Sequence, residues 1–402
     1  MVPANAFGWA GDSVARPWTT HQTAGMADLI VIGGGLAGTA IAWGAARQGA
    51  SVALLDEGDN AFRAARGNFG LVWVQSKGAG MPSYAHWTRH SAEVWPMLAA
   101  ALRERTGIDT GLRQPGGFMF CLSDDELETR AGAVQRMHNE SGDIGTRMLD
   151  RAEVRAMVSG LGDRVVGASF CPIDGHVSPL YLLRSLHTDA QALGVTYHAG
   201  YRVDRIEVAP GSFTVHAGGE RITAPKIVIA AGLGSRDLAP LVGLSMPVTP
   251  LQGQIIVTGR APRLLDYATH VMRQTEEGTV MLGDSQEDTG FDIDTKVSTL
   301  QRIAARNLAT FPALRDVNIV RTWAALRVMS PDGYPIYEQS ERFPGAFAAT
   351  CHSGVTLAGA HALTLAPAIL RGALPGDLSA FASNRFVPKA VSNRVGSRKP
   401  LW

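Results

Sequence analysis

The stretch Asp28-Leu-Ile-Val-Ile-Gly-Gly-Gly-Leu-Ala-Gly-Thr-Ala-Ile-Ala-Trp43 constrains this chain more than any other. Leu29 to Ile32 is a short unbroken apolar run, the pattern of a strand buried on both faces. Glycines follow at 33, 35 and 38 in the spacing G-x-G-x-x-G, and small and apolar residues then predict a helix. In such a turn Gly33 permits the tight reversal, Gly35 lets the backbone approach a pyrophosphate, and Gly38 lets helix and strand pack closely. The free N–H groups opening the helix, around Leu36 and Ala37, favour an anion. A second apolar run, Ser51-Val-Ala-Leu-Leu55, ends at Asp56-Glu57. That acid lies roughly 20 residues beyond the glycines, where a carboxylate accepts ribose hydroxyls. Strand, turn, helix, second strand and acid together predict a dinucleotide site. They leave FAD and NAD both open.

At 402 residues the chain is long enough for two lobes. Its 46% hydrophobic and 18% charged content is that of a soluble globular protein. A net charge of +1 gives no global reason to expect nucleic acid or an anionic membrane surface as partner. Cys121, Cys171 and Cys351 are widely spaced, which predicts neither a disulfide framework nor a metal site and fits a cytoplasmic protein. No apolar run is long enough to span a bilayer. Residues 1–25 lack the apolar segment of a secretory signal and are expected to be an extension outside the fold; 387–402 reads as a short basic tail.

Along the chain, Arg66-Gly-Asn-Phe-Gly70 forms a small polar loop before Leu71-Val-Trp-Val74. Tyr84 to Arg105 has helical apolar spacing, with its Trp and His residues expected to pack. Helices are predicted at 124–139 behind a Ser123 cap, and at 150–157, 180–193, 295–308 and 357–370. Strands are expected at 117–122, 167–171, 195–198, in a hairpin at 203–216, and at 251–257, 270–273 and 279–282. Lys226-Ile-Val-Ile-Ala-Ala-Gly232 is a buried strand that returns the chain to the dinucleotide crevice. Antiparallel strands inserted into a parallel framework predict a second lobe. The fold class expected is therefore α/β plus α+β: a Rossmann-like dinucleotide lobe with an inserted antiparallel-sheet domain. The dinucleotide lobe is assigned 26–85, 160–245 and 322–386, and the substrate lobe 86–159 and 246–321.

Four blocks together resemble the D-amino-acid oxidase (glycine oxidase/sarcosine oxidase) family of FAD enzymes. They are the glycine turn, the Arg66–Gly70 loop, the strand ending at Ala231-Gly232, and Trp323-Ala-Ala-Leu-Arg327…Pro331-Asp-Gly-Tyr-Pro335 followed by His352-Ser353-Gly354-Val355-Thr356. The resemblance spans nearly all of 28–386. It implies FAD rather than NAD, held by Gly33, Gly35, Leu36, Ala37, Gly38, Asp56, Glu57, Arg66, Gly67, Asn68, Gly70, Val203, Ala231, Gly232 and Ser353 to Thr356. It also implies oxidation of an amine beside a carboxylate, with Arg327 gripping that carboxylate and His352 lining the pocket or packing beside it. A helix entered at Gly354 would aim N–H groups at the flavin edge where negative charge develops.

Two departures from the sarcosine oxidase pattern carry further expectations. No cysteine stands just upstream of the Pro-Asp block, which implies non-covalent FAD. Met281 aligns where those oxidases carry a lysine that promotes reaction with oxygen, which implies a different electron acceptor. The Gly-Asn-Phe-Gly-Leu-Val-Trp-Val loop and Val177-Ser-Pro-Leu-Tyr-Leu-Leu183 are most similar to β subunits of hetero-oligomeric opine or hydroxyproline dehydrogenases. Partner subunits accepting electrons are therefore expected. A self-sufficient peroxide-forming oxidase and a non-catalytic FAD relay protein are the alternatives.

Overall fold

The computed structural model describes residues 26–58, 64–143 and 145–387; the expected extension and nearly all of the basic tail lie outside the described residues. Leu29–Ile32 is wholly buried, and its apolar side chains face both layers. It pairs in parallel with Val52–Asp56 on one side and Ile227–Ile229 on the other. The six-stranded sheet runs Ile336–Gln339, Ala346–Thr350, Ile227–Ile229, Leu29–Ile32, Val52–Asp56, Thr196–Ala199, antiparallel only at its first strand. The chain leaves the Leu29–Ile32 strand in one direction and later returns on its other side. The crevice beyond these strand ends is where α/β sheets bind ligands.

Backbones approach unusually closely here. Gly33 has φ +112°, and a Cβ on it would sit 2.3 Å from the Ala230 carbonyl oxygen. A Cβ on Gly38 would lie 1.9 Å from the Gly33 oxygen, so the helix Leu36–Ala46 rests directly on the turn. At its far end, a Cβ on Gly44 would lie 2.1 Å from the Ala362 oxygen. That contact seats the C-terminal helical segment, Ala358–Ala360 continuing through a π turn at His361–Leu365 into Ala366–Arg371.

The 25-residue helix Pro82–Thr106 braces the same segment. Its Ser91 hydroxyl donates to the Thr356 carbonyl at 2.7 Å, and the Trp95 ring N–H reaches the Val355 and Thr356 carbonyls at 3.0 and 3.1 Å. The tryptophans pack, as expected from sequence. Ser123 caps Asp124–Ser141 by accepting from Glu126 N, and Asp150 and Glu153 form a capping box on Arg151–Met157.

Two further sheets form the inserted part. Thr249–Arg260 pairs antiparallel with Ile319–Met329 and with Thr279–Leu282, which in turn pairs with Met272–Gln274. Gly117–Cys121 pairs with Gly167–Cys171 and Ala268–Thr269, and Arg147–Asp150 completes that sheet. Both sheets share one apolar core that joins Phe118, Phe120 and Phe170 to Ile256, Met272 and Leu282. A separate meander, Val203–Ala209, Ser212–Ala217 and Glu220–Ala224, adds a third strand to the expected hairpin.

Pairing and packing depart from the sequence-derived segments in three places. Gly167–Cys171 and Ile319–Met329 hydrogen-bond within the inserted sheets. Helix Pro82–Thr106 instead packs into the core under the dinucleotide sheet, with Trp87, Trp95 and Leu98 beside Ile41 and Leu357. Long-range partners, rather than local periodicity, decide these memberships. Gly44→Val should overpack the contact with Ala362 and lower unfolding stability by roughly 1–3 kcal/mol, read from urea denaturation; an unchanged midpoint would count against this contact.

Candidate functional site

A cavity of about 370 Å³ opens at the strand ends of the six-stranded sheet. Among the residues expected from sequence, Gly33, Gly35, Leu36, Ala37, Asp56, Glu57, Asn68, Val203, Ala231, Gly232, His352 and Gly354 line it. A Cβ on Gly35 would meet no heavy atom within 4 Å, so the open cavity begins at this backbone. The Asp56 carboxylate accepts from Gly34 N at 2.7 Å and from Gly58 N at 2.9 Å. It thereby ties the turn to the second strand as well as bordering the cavity.

The remaining expected residues fall elsewhere. Gly38 is a packing position, as above. Arg66 borders a third cavity with Arg273, Met281 and Trp323. Gly70 lies along none of the three cavities; φ +94° and an approach to the Val177 oxygen account for the glycine. Asn68 Oδ1 accepts from Gly70 N at 2.8 Å and fixes that bend.

Gly67, Ser353, Val355, Thr356 and Arg327 line a second cavity of about 380 Å³. Ala64, Asn68 and His352 border both cavities, which makes them neighbours. The helix expected over 357–370 begins at Ala358, after a turn closed by Leu357 N donating to the Ser353 oxygen at 3.0 Å, so Gly354 lies in the turn that enters it. Among the described residues, no protein acceptor is recorded for the N–H groups of Gly354, Val355 and Thr356. These turn N–H groups, rather than a long helix dipole, are the donors on offer. The Thr356 hydroxyl donates to the Leu71 oxygen and accepts from Trp73 N, pinning the turn to the Leu71–Val72 strand and its exit.

Arg327 emerges from Ile319–Met329 opposite Leu251, and its guanidinium is tethered. Nη1 donates to the Ser285 carbonyl at 2.7 Å and the Gln252 carbonyl at 3.3 Å, and Nη2 donates to Asp284 Oδ1. Gly253 leaves room for this, since a Cβ there would lie 2.5 Å from Nη1. His352 is held well below the usual imidazole range, first by burial and then by the charges of Lys77 and Arg327, so it is neutral at pH 7. His270, also on the cavity wall, is pushed down to about 3, chiefly by burial.

Sequence reasoning missed three residues here. Lys77 lines the second cavity, and Asp284 pairs with Arg327. Asp174 lies buried under the loop that carries Lys77: its Oδ1 accepts from Val74 N at 2.6 Å and its Oδ2 from Gln75 Nε2 at 2.8 Å. Arg130 reaches the Gln75 carbonyl at 2.7 Å from the other side. Burial raises the Asp174 carboxyl to about 7, against the hydrogen bonds from Gln75 and Val74 that lower it. No local pattern marks these residues, because their partners are distant in sequence. Met281, at the position compared above with a lysine, is buried at the third cavity and leaves the charge of the second untouched.

Asp174→Ala strips two buried donors of their acceptor and should cost about 2–4 kcal/mol of stability, read as a fall in thermal midpoint. A midpoint equal to the parent's would show that the network does not hold the loop.

Comparisons with known proteins fit this geometry. A family model described as FAD dependent oxidoreductase (DAO) matches residues 28–368. The chain is 44% identical over 361 residues to the B subunit of opine oxidase from Rhizobium meliloti, covering 89% of this chain and 97% of that protein. It is 26% identical over 373 residues to glycine oxidase of Geobacillus kaustophilus, covering 90% and 98%. The crystal structure of glycine oxidase from Geobacillus kaustophilus superposes with a TM-score of 0.80 at 23% identity, over 89% of this chain and 98% of that one. Among the described residues no group of His, Cys, Asp or Glu could hold a metal ion, and no helix is long and apolar enough to cross a membrane.

Proposed function

This chain belongs to the DAO family of FAD-dependent oxidoreductases, and we propose that its second cavity binds an amine bearing a carboxylate and presents that amine's C–H bond to FAD held in the first. The observation that carries this reading is the position of Arg327, a tethered guanidinium on the wall of a cavity that adjoins the glycine-turn cavity. The names of the relatives, an opine oxidase and a glycine oxidase, support a substrate of the amino-acid type.

The first cavity suits FAD on its own terms. Open space begins at Gly35, and the N–H of Gly354 on its wall lacks a protein acceptor among the described residues. Non-covalent FAD is held in this reading by the lining residues of that cavity, with Asp56 and Glu57 toward the adenosine and Asn68 and Gly354 toward the flavin. When bound, FAD supplies the acceptor for the hydride.

The protein's own groups do the rest. Arg327 keeps N–H donors beyond those bonded to Ser285, Gln252 and Asp284, and these hold the substrate carboxylate. Anchoring the carboxylate orients the α C–H, which supplies the positional part of the rate. Neutral His352 adds no charge at the junction of the cavities. The Gly354–Thr356 N–H groups stabilise negative charge that develops opposite them. The amine reacts in its neutral form: as the α hydrogen leaves with its electron pair, the nitrogen lone pair closes the C=N bond of an iminium, and water adds to that carbon to release the carbonyl product and the protonated amine.

The opine oxidase relatives are themselves named as subunits, which supports work within a larger complex, with electrons passed to partner chains rather than to oxygen. Three free cysteines suit a reducing cytoplasmic setting.

Mixing the holoprotein without oxygen with a panel of D-, L- and N-substituted amino acids should bleach the flavin absorbance with at least one of them. Arg327→Ala should weaken that substrate's apparent affinity about 10- to 100-fold, the worth of a hydrogen bond to a charged partner. If none of the panel bleaches the flavin, the catalytic reading gives way to an electron-relay role. Rapid stoichiometric peroxide from the chain alone in air would overturn the assignment of a partner acceptor.

A further inference from the structure

The charge of the second cavity is unevenly assigned. Its wall carries three formally charged side chains, Lys77, Asp284 and Arg327. Asp284 and Arg327 pair with each other. Lys77 has no hydrogen bond or ion pair recorded to its ammonium among the described residues, although it is half-buried. Its surroundings do not neutralise it. Cys351, nearby, is pushed up to about 12 by burial and stays a thiol. His352 is neutral. Asp174, below the loop, has both oxygens engaged by Val74 N and Gln75 Nε2.

The loop that carries Lys77 is also held in place. Lys77 N donates to the Val74 carbonyl at 2.9 Å, and the preceding Gln75 is wholly buried between Asp174, Arg130 and Gly117. Gly78 follows at φ +92°, where a Cβ would lie 2.3 Å from Ala85 N, so the loop runs tight against helix Pro82–Thr106. The Tyr334 hydroxyl donates to the Ala79 carbonyl and clamps the far side. Lys77 and Arg327 thus enter one cavity from two different elements, a braced loop and a sheet strand.

We propose that Lys77 is a second anion-binding group of the substrate cavity, and that the substrate class is an amine carrying two carboxylates, one on Arg327 and one on Lys77. The inference rests on the reading of this cavity as the amine site. The separate placement of the two cations carries it. With Arg327 balanced by Asp284, the cavity has a surplus of one positive charge at Lys77. A monocarboxylate seated on Arg327 leaves the Lys77 ammonium without a carboxylate of its own, whereas a second carboxylate on the same molecule pairs with it. Cancelling a partly desolvated charge is worth more than the same contact in water. Two sources share this chemistry, an N-carboxyalkyl amino acid and an acidic α-amino acid, and they differ in whether the second carboxylate hangs from the nitrogen or from the side chain.

The test uses the FAD-loaded protein and non-oxidisable probes. Glutarate and butyrate are titrated while the flavin absorbance perturbation is followed at pH 7. The parent should bind glutarate about tenfold more tightly than butyrate, the worth of one half-buried charge pair. Lys77→Met should bring the two within about twofold, and Lys77→Arg should restore most of the preference. Because burial and the neighbouring Arg327 push Lys77 down to about 8, the parent's preference should fade as pH rises through that value and stay flat in Lys77→Met. Asp174, Asp284, Cys351 and Arg327 are the other charged or titratable groups acting on Lys77, and the Lys77→Met control removes their contribution from the comparison.

Equal binding of glutarate and butyrate by the parent would overturn the proposal. So would an undiminished preference in Lys77→Met, including the case where that variant instead reoxidises slowly in air. The glutarate ratio decides Lys77 whether or not any amine bleaches the flavin, so it can stand or fall apart from the amine-oxidation reading. Iminodiacetate against glutamate, each compared with sarcosine and alanine in flavin bleaching, then assigns the second carboxylate to nitrogen or to side chain.

Discussion

The close approach of the Gly33 backbone to the Ala230 carbonyl governs the architecture of the first cavity. Any side chain at 33 would collide with the neighbouring strand's end, at 2.3 Å. Without one, Leu29–Ile32 and Ile227–Ile229 stay paired up to their last residues, and the chain turns at once into Leu36–Ala46. The Asp56 bond to Gly34 N closes this turn from the second strand. Gly44 repeats the device at the other end of the helix, where it admits the Ala362 backbone. One short helix is therefore in backbone contact with the turn at one end and the C-terminal segment at the other. That double contact brings Gly354 beside Gly35 across about 300 residues of chain.

How much of this was legible in sequence follows from the range of the interactions. The glycine turn, the two flanking strands and the Ser123 cap are local, and the residues that make them are adjacent in the chain. The return of the strand ending at Ala231-Gly232 was legible because a buried apolar run closing on small residues has few other uses. Strand membership was not, since Gly167–Cys171 and Ile319–Met329 are assigned by partners up to dozens of residues away. The start of the last helix was legible to within one residue, at Ala358, but the form of the turn before it was not. Ser91 and Trp95 on a distant helix hold the Val355 and Thr356 carbonyls, so the first turn is shaped by them rather than by its own sequence.

The second cavity shows the same limit more sharply. Arg327 was visible through its motif, but its tether to Asp284 and the Ser285 carbonyl crosses between strands. Lys77 sits in a loop of Ser, Gly and Ala with no periodicity to recommend it. Its importance appears only when the buried Asp174–Gln75–Arg130 network is seen beneath it. A fully connected buried polar network is costly to leave half-made, so it fixes the loop above it as firmly as an apolar core would.

These arrangements separate two tasks between two sets of contacts. The cradle depends on backbone proximity, with little tolerance for added atoms at Gly33, Gly38 or Gly44. The adjoining cavity depends on side chains borne by the inserted sheet and the Lys77 loop, and on Gly253, which lets the Arg327 guanidinium lie across its strand. A larger residue at 253 would push the guanidinium toward Asp284 or into the cavity, while leaving the glycine turn untouched. In the proposed reading, substrate choice can therefore shift through residues 77, 253, 284 and 327 without altering the glycine turn. The two cavities meet at Ala64, Asn68 and His352. Of these, His352 is the one titratable side chain, and its burial between Lys77 and Arg327 keeps it uncharged. A charged imidazole there would add to two cations already present, so the electrostatics of the cavity require the neutral form that burial enforces.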